Sequence, residues 1–224
     1  HQNIPQSPYL CTLKAKSMYK INILIFSLLF LCFSSNEILA QQGNTFRDDY
    51  QYHIKKTTES IKIDGAIDEA VWETTQVATD FFYITPVAEK KVEQRDQTEV
   101  RMTYDDKHIY VAVVCRGEQP FLVPSLKRDG QSFFGGETFM VSFDPGNERT
   151  TGNAFATNSA GVQFDNQLSG DLGTRSGGGS GGFNTAWNNK WQCETKVYDN
   201  YFTIEMAIPF KSLRYGDSKV WGVQ

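Results

Sequence analysis

The chain has 224 residues, a length expected of one domain with additional segments. Hydrophobic residues make up 40% and aromatic residues 13%, with 16 Phe, 10 Tyr and 18 Gly, a mixture that favours strands and turns over helices. The formal net charge is −4 and the sequence contains no basic run, which argues against nucleic acid as a partner.

Residues 18–40 have the order of a secretory signal peptide. Lys20 follows Met18, residues 21–33 form an almost unbroken apolar run, and a short segment ending at Ala40 provides the cleavage region. The run is about 13 residues long, whereas a membrane-spanning helix needs about 20, so a retained membrane helix is the less favoured alternative. We expect residues 1–17 to lie upstream of the start and the mature chain to be exported to the periplasm, outer membrane or extracellular space.

Two cysteines, Cys115 and Cys193, remain in the exported part. An oxidising compartment permits them to pair. Both lie on apolar faces of predicted strands, where a free cysteine behaves as a small hydrophobic residue. Free thiols are therefore favoured over a disulfide.

The mature chain begins with a polar leader at residues 41–60, with one short strand expected near residues 52–54. In the next segment, Asp64-Gly65 is a turn signal, and Asp68 is predicted to cap a short helix over residues 69–72. Trp72, in this patterned element, is expected in the core.

Period-two alternation predicts most of the remaining chain to be strands. The predicted strands are residues 99–104, 109–114, 139–143, two short strands within 155–164, 191–197 and 202–208, with a further strand starting at 219–224. Residues 109–114 are apolar on both faces, as in a central strand, and the Gly/Ser-rich residues 173–184 are expected to be a mobile loop. Many short strands separated by turns indicate a sandwich or a barrel, and the open strand at Gln224 indicates a truncated chain.

The segment 61–72, IKIDGAIDEAVW, resembles the opening of family 9 carbohydrate-binding modules, whose pattern is I-D-G-x-x-D-x-x-W. Three further blocks of that family follow in order, at residues 98–111, 137–145 and 202–210. The similarity covers residues 61–224. It implies an all-β, immunoglobulin-like or jelly-roll-type β-sandwich, mostly antiparallel, with one short N-terminal helix, and it implies binding of a polysaccharide or oligosaccharide.

A closer resemblance is to a bacterial envelope family of unassigned function. In that family the module precedes a long C-terminal part thought to be an outer-membrane β-barrel. Residues 158–164, Trp187, Trp191 and 208–214 carry this resemblance. It implies that contact with a membrane would come only through a C-terminal region beyond Gln224.

The chain departs from the sugar-binding members of family 9 at their binding residues. Those members hold a saccharide end between two tryptophans, with Glu and Arg side chains bonding its hydroxyls. Phe133 and Phe134 stand where the first tryptophan is expected, and Met140 and Ala156 align with the Glu and the Arg. The second tryptophan would lie past Gln224. The resemblance in fold therefore leaves sugar binding as a hypothesis.

Aromatic side chains in loops are the candidate ligand-binding residues. Aromatic rings bind sugars by contacting C–H groups while polar neighbours bond the hydroxyls. The candidates are Phe133, Phe134 and Trp187, with Arg128, Asp129 and Glu137 as polar partners. The alternative is that these aromatic residues anchor loops to the sandwich, and Trp191, within a strand, is expected in the core.

Oxygen-bearing side chains cluster within ten residues at Asp144, Asn147, Glu148 and Asn153. Oxygen ligands suit Ca²⁺, so Asp144 and Asn147 are candidate metal ligands. The spacing matches no fixed calcium loop, and an ordinary polar loop is the favoured alternative. No cofactor is required by this interpretation.

Catalytic motifs are weak. Residues 178–182 fit G-x-S-x-G, but in a low-complexity loop without the strand, turn and helix that activate such a serine. His53 and His108 are the two histidines of the mature chain and provide neither a triad nor a histidine-rich metal site. No carboxylate pair stands out, although sequence leaves such a pair open.

The sequence therefore favours a non-catalytic glycan-binding module of a secreted or cell-envelope protein, ancillary to carbohydrate catabolism. The alternatives are a periplasmic cap of an outer-membrane barrel without sugar affinity, and a part of a glycoside hydrolase.

Overall fold

The structure is a computed structural model that describes residues 50–83, 90–170, 182–184 and 186–224. Residues 52–224 form a compact unit. The signal-peptide and leader predictions for residues 1–49 lie outside the described residues, as do most of the Gly/Ser-rich segment and its G-x-S-x-G match. Within the described part, none of the helices has the length and apolar character needed to cross a bilayer.

The described chain contains one short α-helix and a series of strands. The α-helix α1 is Ala70–Thr74, and the strands are β1 Lys55–Lys56, β2 Val77–Ala78, β3 Thr98–Tyr104, β4 His108–Arg116, β5 Thr138–Asp144, β6 Thr151–Asn158, β7 Phe164–Ser169, β8 Gly182–Asn184, β9 Gln192–Val197, β10 Tyr201–Pro209 and β11 Gly222–Val223. Three 3-10 turns lie at Gln94–Asp96, Phe133–Gly135 and Phe210–Ser212. Two sheets result, ordered β1-β3-β4-β10-β9, with β2 also on β3, and β11-β5-β6-β7-β8.

The sheets pair almost entirely antiparallel, and the exception is β1 against β3. β4 lies between β3 and β10, which confirms that the run predicted to be apolar on both faces is a central strand. β3 and β4 pair as an antiparallel hairpin. The short strand expected near residues 52–54 lies directly after that range, at Lys55–Lys56. Residues 182–184, expected to belong to a loop, pair with β7 as β8.

The main core fills the space between the two sheets. Because side chains alternate along a strand, each strand sends every second residue inward. One continuous cluster joins Val111 of β4 and Met206 of β10 to Val141 and Phe155 of the other sheet. The fold is therefore a mostly antiparallel β-sandwich with one short helix, as the sequence predicts. Trp191, expected in the core, belongs to this cluster.

A second cluster lies on the outer face of the β3-β4-β10 sheet. Here Val71 and Trp72 of α1 pack against Tyr110, Ala112 and Ala207. Trp72 is therefore buried as expected, although it lies outside the space between the sheets.

The predicted cap of α1 is wrong. Glu69, not Asp68, is the residue preceding the helix, and its side chain makes no capping bond. Instead, its carboxylate accepts the Trp72 indole N–H at 3.0 Å and the Lys62 backbone N–H at 2.9 Å. The predicted Asp64 turn is confirmed, since Asp64 Oδ1 accepts the Ala66 N–H at 3.0 Å.

The two cysteines are free, as favoured from the sequence. Cys115 lies opposite Phe202 on β10, and Cys193 lies opposite Met206 on the other side of that strand. An offset of four residues along a strand is about 13 Å, well beyond the roughly 7 Å limit for a disulfide. Burial raises the pKa of each thiol to about 12, so both remain protonated and unreactive near neutral pH.

Candidate functional site

Two of the three predicted aromatic candidates, Phe133 and Phe134, lie on the outer face of the β5-β6-β7 sheet. Ala156 and Phe164 are cross-strand partners on this face, while Phe155 points into the core between the sheets. The 3-10 turn Phe133–Gly135 folds onto the same face. We call Phe133, Phe134 and Phe164 the aromatic cluster.

The two adjacent phenylalanines of the turn have different environments. Phe133 is 0% exposed, and its ring stacks on that of Phe164 with centroids 5.1 Å apart. Phe134 is 49% exposed, and its ring contacts the other two edge-on, at 5.1 Å and 4.9 Å. Phe133 has no exposed ring face and is the anchor of its loop, whereas Phe134 presents an aromatic surface to solvent on a rigid aromatic base.

Met140 extends this apolar surface along the sheet. It pairs with Ala156 on β6, which pairs in turn with Phe164 on β7, so the three side chains form one cross-strand row. Met140 is 41% exposed, and Ala156 is fully buried. This row therefore carries no charged group. Met140 and Ala156 are the two residues that the sequence analysis aligned with a Glu and an Arg.

Two asparagines on this face have unused hydrogen-bonding groups. Asn158 and Asn166 are both 0% exposed. The Asn158 Nδ2 and both amide atoms of Asn166 have no hydrogen-bond partner. Buried amide groups in proteins are normally satisfied, so polar atoms outside the described chain, such as those of water, are expected to complete these bonds.

Arg128 belongs to a network of hydrogen bonds within the protein. Its guanidinium donates to the carboxylate of Asp165, to the Gln163 side chain, and to the Asn189 carbonyl at 2.9 Å. Asp165 is 0% exposed and also accepts the Asn189 N–H at 2.7 Å and the Trp191 indole N–H at 3.3 Å. A buried carboxylate needs such partners, so Arg128 is the counter-charge of Asp165.

Asp129 and Glu137 likewise bind backbone groups. Asp129 Oδ1 accepts the Asp165 N–H at 3.1 Å, and a Glu137 carboxylate oxygen accepts the Leu122 N–H. The Glu137 N–H returns a bond to the Leu122 carbonyl at 3.2 Å. Both carboxylates therefore fix the loop that leads to the aromatic cluster.

Trp187 is partly buried. Its ring packs edge-on against that of Phe155, with centroids 5.8 Å apart, and it borders the main core. The structure therefore separates Trp187, which contacts a side chain of the inner face, from Phe134 on the outer face.

The four oxygen-bearing residues predicted near Asp144 do not all face the same side of the sheet. Asp144 is buried, its Oδ2 accepts the Arg149 N–H at 2.6 Å, and Asn147 follows it in the turn with its N–H bonded to the Asp144 carbonyl at 3.0 Å. Asn153 pairs with Phe143 and shares the inward face, opposite to that of Asp144. No group of three or more His, Cys, Asp or Glu side chains able to hold a metal occurs in the part of the chain that the structure describes.

A depression of about 850 Å³ that the sequence did not reveal lies at one end of the sandwich. It is lined by the β3–β4 turn, the end of β10 and the residues that follow β10. Its side chains include Lys107, Lys211, Arg214 and Tyr215. We call it the basic depression. The residues are scattered over more than 100 positions of the chain, so no local motif marks them.

The fold places the chain among two-sheet β-sandwich modules, and comparison with known proteins identifies the family. The model of the family described as "carbohydrate family 9 binding domain-like" matches residues 63–224, and the chain belongs to that family. The family is one of binding modules and not of catalytic domains.

Solved structures similar to this chain include a family 9 carbohydrate-binding module from Caldicellulosiruptor kristjanssonii in two complexes. The complex with glucose is 14% identical, with 76% of this chain and 74% of that chain covered, and a TM-score of 0.46. The complex with cellotriose is 14% identical, with coverages of 76% and 73%, and a TM-score of 0.43. No curated protein matches the chain.

Proposed function

We propose that this module binds a saccharide through the exposed ring of Phe134. The observation that carries the proposal is the aromatic cluster, which holds a half-exposed ring on two buried ones in a chain of the carbohydrate family 9 binding domain-like family. A ring fixed by packing loses little conformational entropy when a ligand contacts it. The apolar face of a sugar ring is the matching surface.

Polar contacts to the sugar come from side chains beside Phe134. Gln131 and Ser132 are exposed and directly precede the 3-10 turn. In this proposal, Gln131 and Ser132 provide hydrogen bonds to the sugar in place of the Glu and the Arg with which Met140 and Ala156 align. Because neutral hydrogen bonds are weaker than charge-assisted ones, we expect modest affinity.

The test is titration of the chain with neutral mono- and oligosaccharides, including glucose and cellotriose, followed by tryptophan fluorescence and melting temperature. We expect a saturable response that Phe134→Ala abolishes. Phe81→Ala is the matched control, because Phe81 is 40% exposed and lies outside the aromatic cluster. Absence of any saturable response, or an equal loss in both variants, would overturn the proposal.

The same titration with and without Ca²⁺ tests the metal hypothesis. We propose that Asp144 and Asn147 contribute oxygen ligands in one turn, with water supplying the others. Ca²⁺ then raises the melting temperature, and Asp144→Asn removes that increase. An unchanged melting temperature rejects the calcium site without affecting the saccharide proposal.

We also propose that the module acts outside the cytoplasm, at the cell envelope or beyond it. Support comes from the signal-peptide pattern of residues 18–40. N-terminal sequencing of the protein recovered from the producing cells tests this, with a mature start near Gln41 as the expected result. An intact N-terminus starting at Met18 or earlier would contradict it.

A further inference from the structure

The basic depression concentrates positive charge in a protein of negative net charge. Lys107, Lys211 and Arg214 are all exposed, and none of them forms an ion pair with an acidic residue within the described ranges. The acidic side chain in the lining, Asp106, is paired with Lys56 at 2.5 Å. The lining is thus left with three unpaired cations, while the whole chain carries a formal charge of −4.

Backbone bonds fix the elements that carry the two lysines. The Phe210 N–H donates to the Lys107 carbonyl at 2.8 Å, which ties the turn between β3 and β4 to the end of β10. Pro209 and His108 are register partners in the same sheet. The positions of Lys107 and Lys211 relative to each other are therefore set by the sheet rather than by a free loop.

An aromatic ring borders the same depression. Tyr215 is 54% exposed, and its ring packs against those of Phe210 and Trp221, with centroids 5.6 Å and 5.7 Å apart. Phe210 in turn contacts Tyr104 edge-on at 6.2 Å. Tyr215 thus presents a supported ring face and a hydroxyl beside three cations.

We propose that the basic depression binds acidic saccharides, meaning sugars that carry carboxylate or sulfate groups. Arg214 and the two lysines would pair with the anionic groups, since guanidinium and ammonium groups form their strongest hydrogen bonds with oxyanions. Tyr215 would contact the apolar face of a sugar ring. The inference rests on the proposed function in taking a saccharide as ligand, but it uses a separate site from the aromatic cluster.

Trisaccharides that differ in their charged groups provide the test. The whole chain is titrated calorimetrically at low salt with trigalacturonic acid, with its fully methyl-esterified form, and with a sulfated galactose trisaccharide. We expect the methyl ester to bind at least about tenfold more weakly than the free acid, because the ester keeps the ring but loses the charges. Preference for the sulfated sugar over the free acid would support the site and identify sulfate as the anion.

The double variant Lys211→Gln/Arg214→Gln is expected to weaken binding of the acidic sugar at least about tenfold. Its control is Lys127→Gln/Lys190→Gln, which removes the same net charge from exposed positions outside the depression. We expect the control to stay within about twofold of the unmodified chain. Tyr215→Ala should weaken binding of both acidic sugars at a temperature well below the melting temperature of the variant.

Three results would overturn the inference: no binding of either acidic sugar, equal binding of the methyl ester, or equal losses in the two double variants. Failure here is distinguishable from failure of the proposed function. Phe134→Ala affects neutral saccharides and leaves the acidic ones unchanged, whereas the Lys211/Arg214 pair has the opposite effect.

Discussion

Two segments of the chain cover the outer faces of the sandwich, and different forces hold them there. The segment from Ile61 to α1 lies on the β3-β4-β10 sheet, where the Glu205 carboxylate accepts the N–H groups of Asp64 and Gly65 at 3.1 Å and 3.0 Å. The loop carrying Phe133 lies on the other sheet, where it is held by ring packing against Phe164. Both segments make apolar and polar contacts, since Val71 and Trp72 pack on the first sheet and Asp129 and Glu137 bond backbone groups near the Phe133 loop. The distinguishing contact of the first is a buried carboxylate, which titrates, and that of the second is a ring stack, which does not.

The difference shows how one segment can be held firmly on its sheet while still exposing an aromatic ring. Aromatic packing does not require every ring to be enclosed, so Phe134 stays half-exposed while Phe133 is buried. The hydrogen bonds of a carboxylate are stronger when it is buried, and Glu205 is 0% exposed. The segment held by ring packing therefore presents a binding surface, whereas the Glu205 carboxylate serves to attach the other segment to its sheet.

Phe133→Ala should have the largest effect on stability. Removing a fully buried phenylalanine costs about 3–5 kcal/mol, because a cavity remains next to Phe164. Chemical denaturation measures the loss, and Phe134→Ala, in the neighbouring half-exposed position, should cost less than about 1.5 kcal/mol. Equal losses would contradict the division between anchor and exposed ring.

Gly65→Ala should be the next largest change. Gly65 has φ +79°, and a Cβ placed there would lie 2.8 Å from the Thr195 carbonyl carbon. Both the left-handed backbone and the contact are unfavourable, so we expect a loss of about 2 kcal/mol or more. Gly216→Ala is the matched control, because its Cβ would meet no atom within 4 Å. A neutral Gly65→Ala would show that the N-terminal cover is not closely packed on β9.

The pH dependence of stability should separate the two covers. Burial raises the pKa of Glu205 from 4.5 to about 7, and the nearby carboxylates of Glu69 and Asp64 also raise it. Glu194 lies directly opposite Glu205 on β9. Because the folded state holds this proton more tightly than the unfolded state, its contribution lowers stability as pH rises from about 4.5 to 7.

Glu205→Gln should therefore remove a decrease of about 2 kcal/mol over that interval, measured by denaturation at a series of pH values. The lowered pKa values of Asp64, Glu99 and Asp105 act below that interval and leave the comparison intact. Glu118→Gln, at an exposed position, is the control and should keep the slope. An unchanged slope in Glu205→Gln would rule out Glu205 as its source.

Most of the strands could be predicted because their signal is local. Alternation of apolar and polar residues, as in β3, β5 and β10, reports which side chains point to one face, and this depends on nearest neighbours alone. The prediction was less accurate for β7 and β8. The β7 stretch carries Asp165 and Asn166, polar residues that the tertiary structure buries, so its alternation is obscured.

The candidate site could be predicted in part. The sequence identified the Phe133-Phe134 pair but could not tell which ring would be enclosed, because this depends on Phe164, about 30 residues away. It offered Arg128 as a ligand-binding cation but could not predict that Arg128 pairs with Asp165. Residue type alone does not reveal whether a charge already has a partner.

By itself, the sequence determined the strand pattern, the Asp64-Gly65 turn and the family, because these depend on residues close together in the chain. Only the tertiary structure decided which sheet each of the two segments would cover. It also decided that Glu205 would bind a backbone turn 140 positions away. Finally, it brought Lys107, Lys211 and Arg214 together at one end of the sandwich. The physical reason is that alternation fixes the direction of a side chain relative to its own strand, whereas its neighbours across a face come from distant segments brought together by burial of the core.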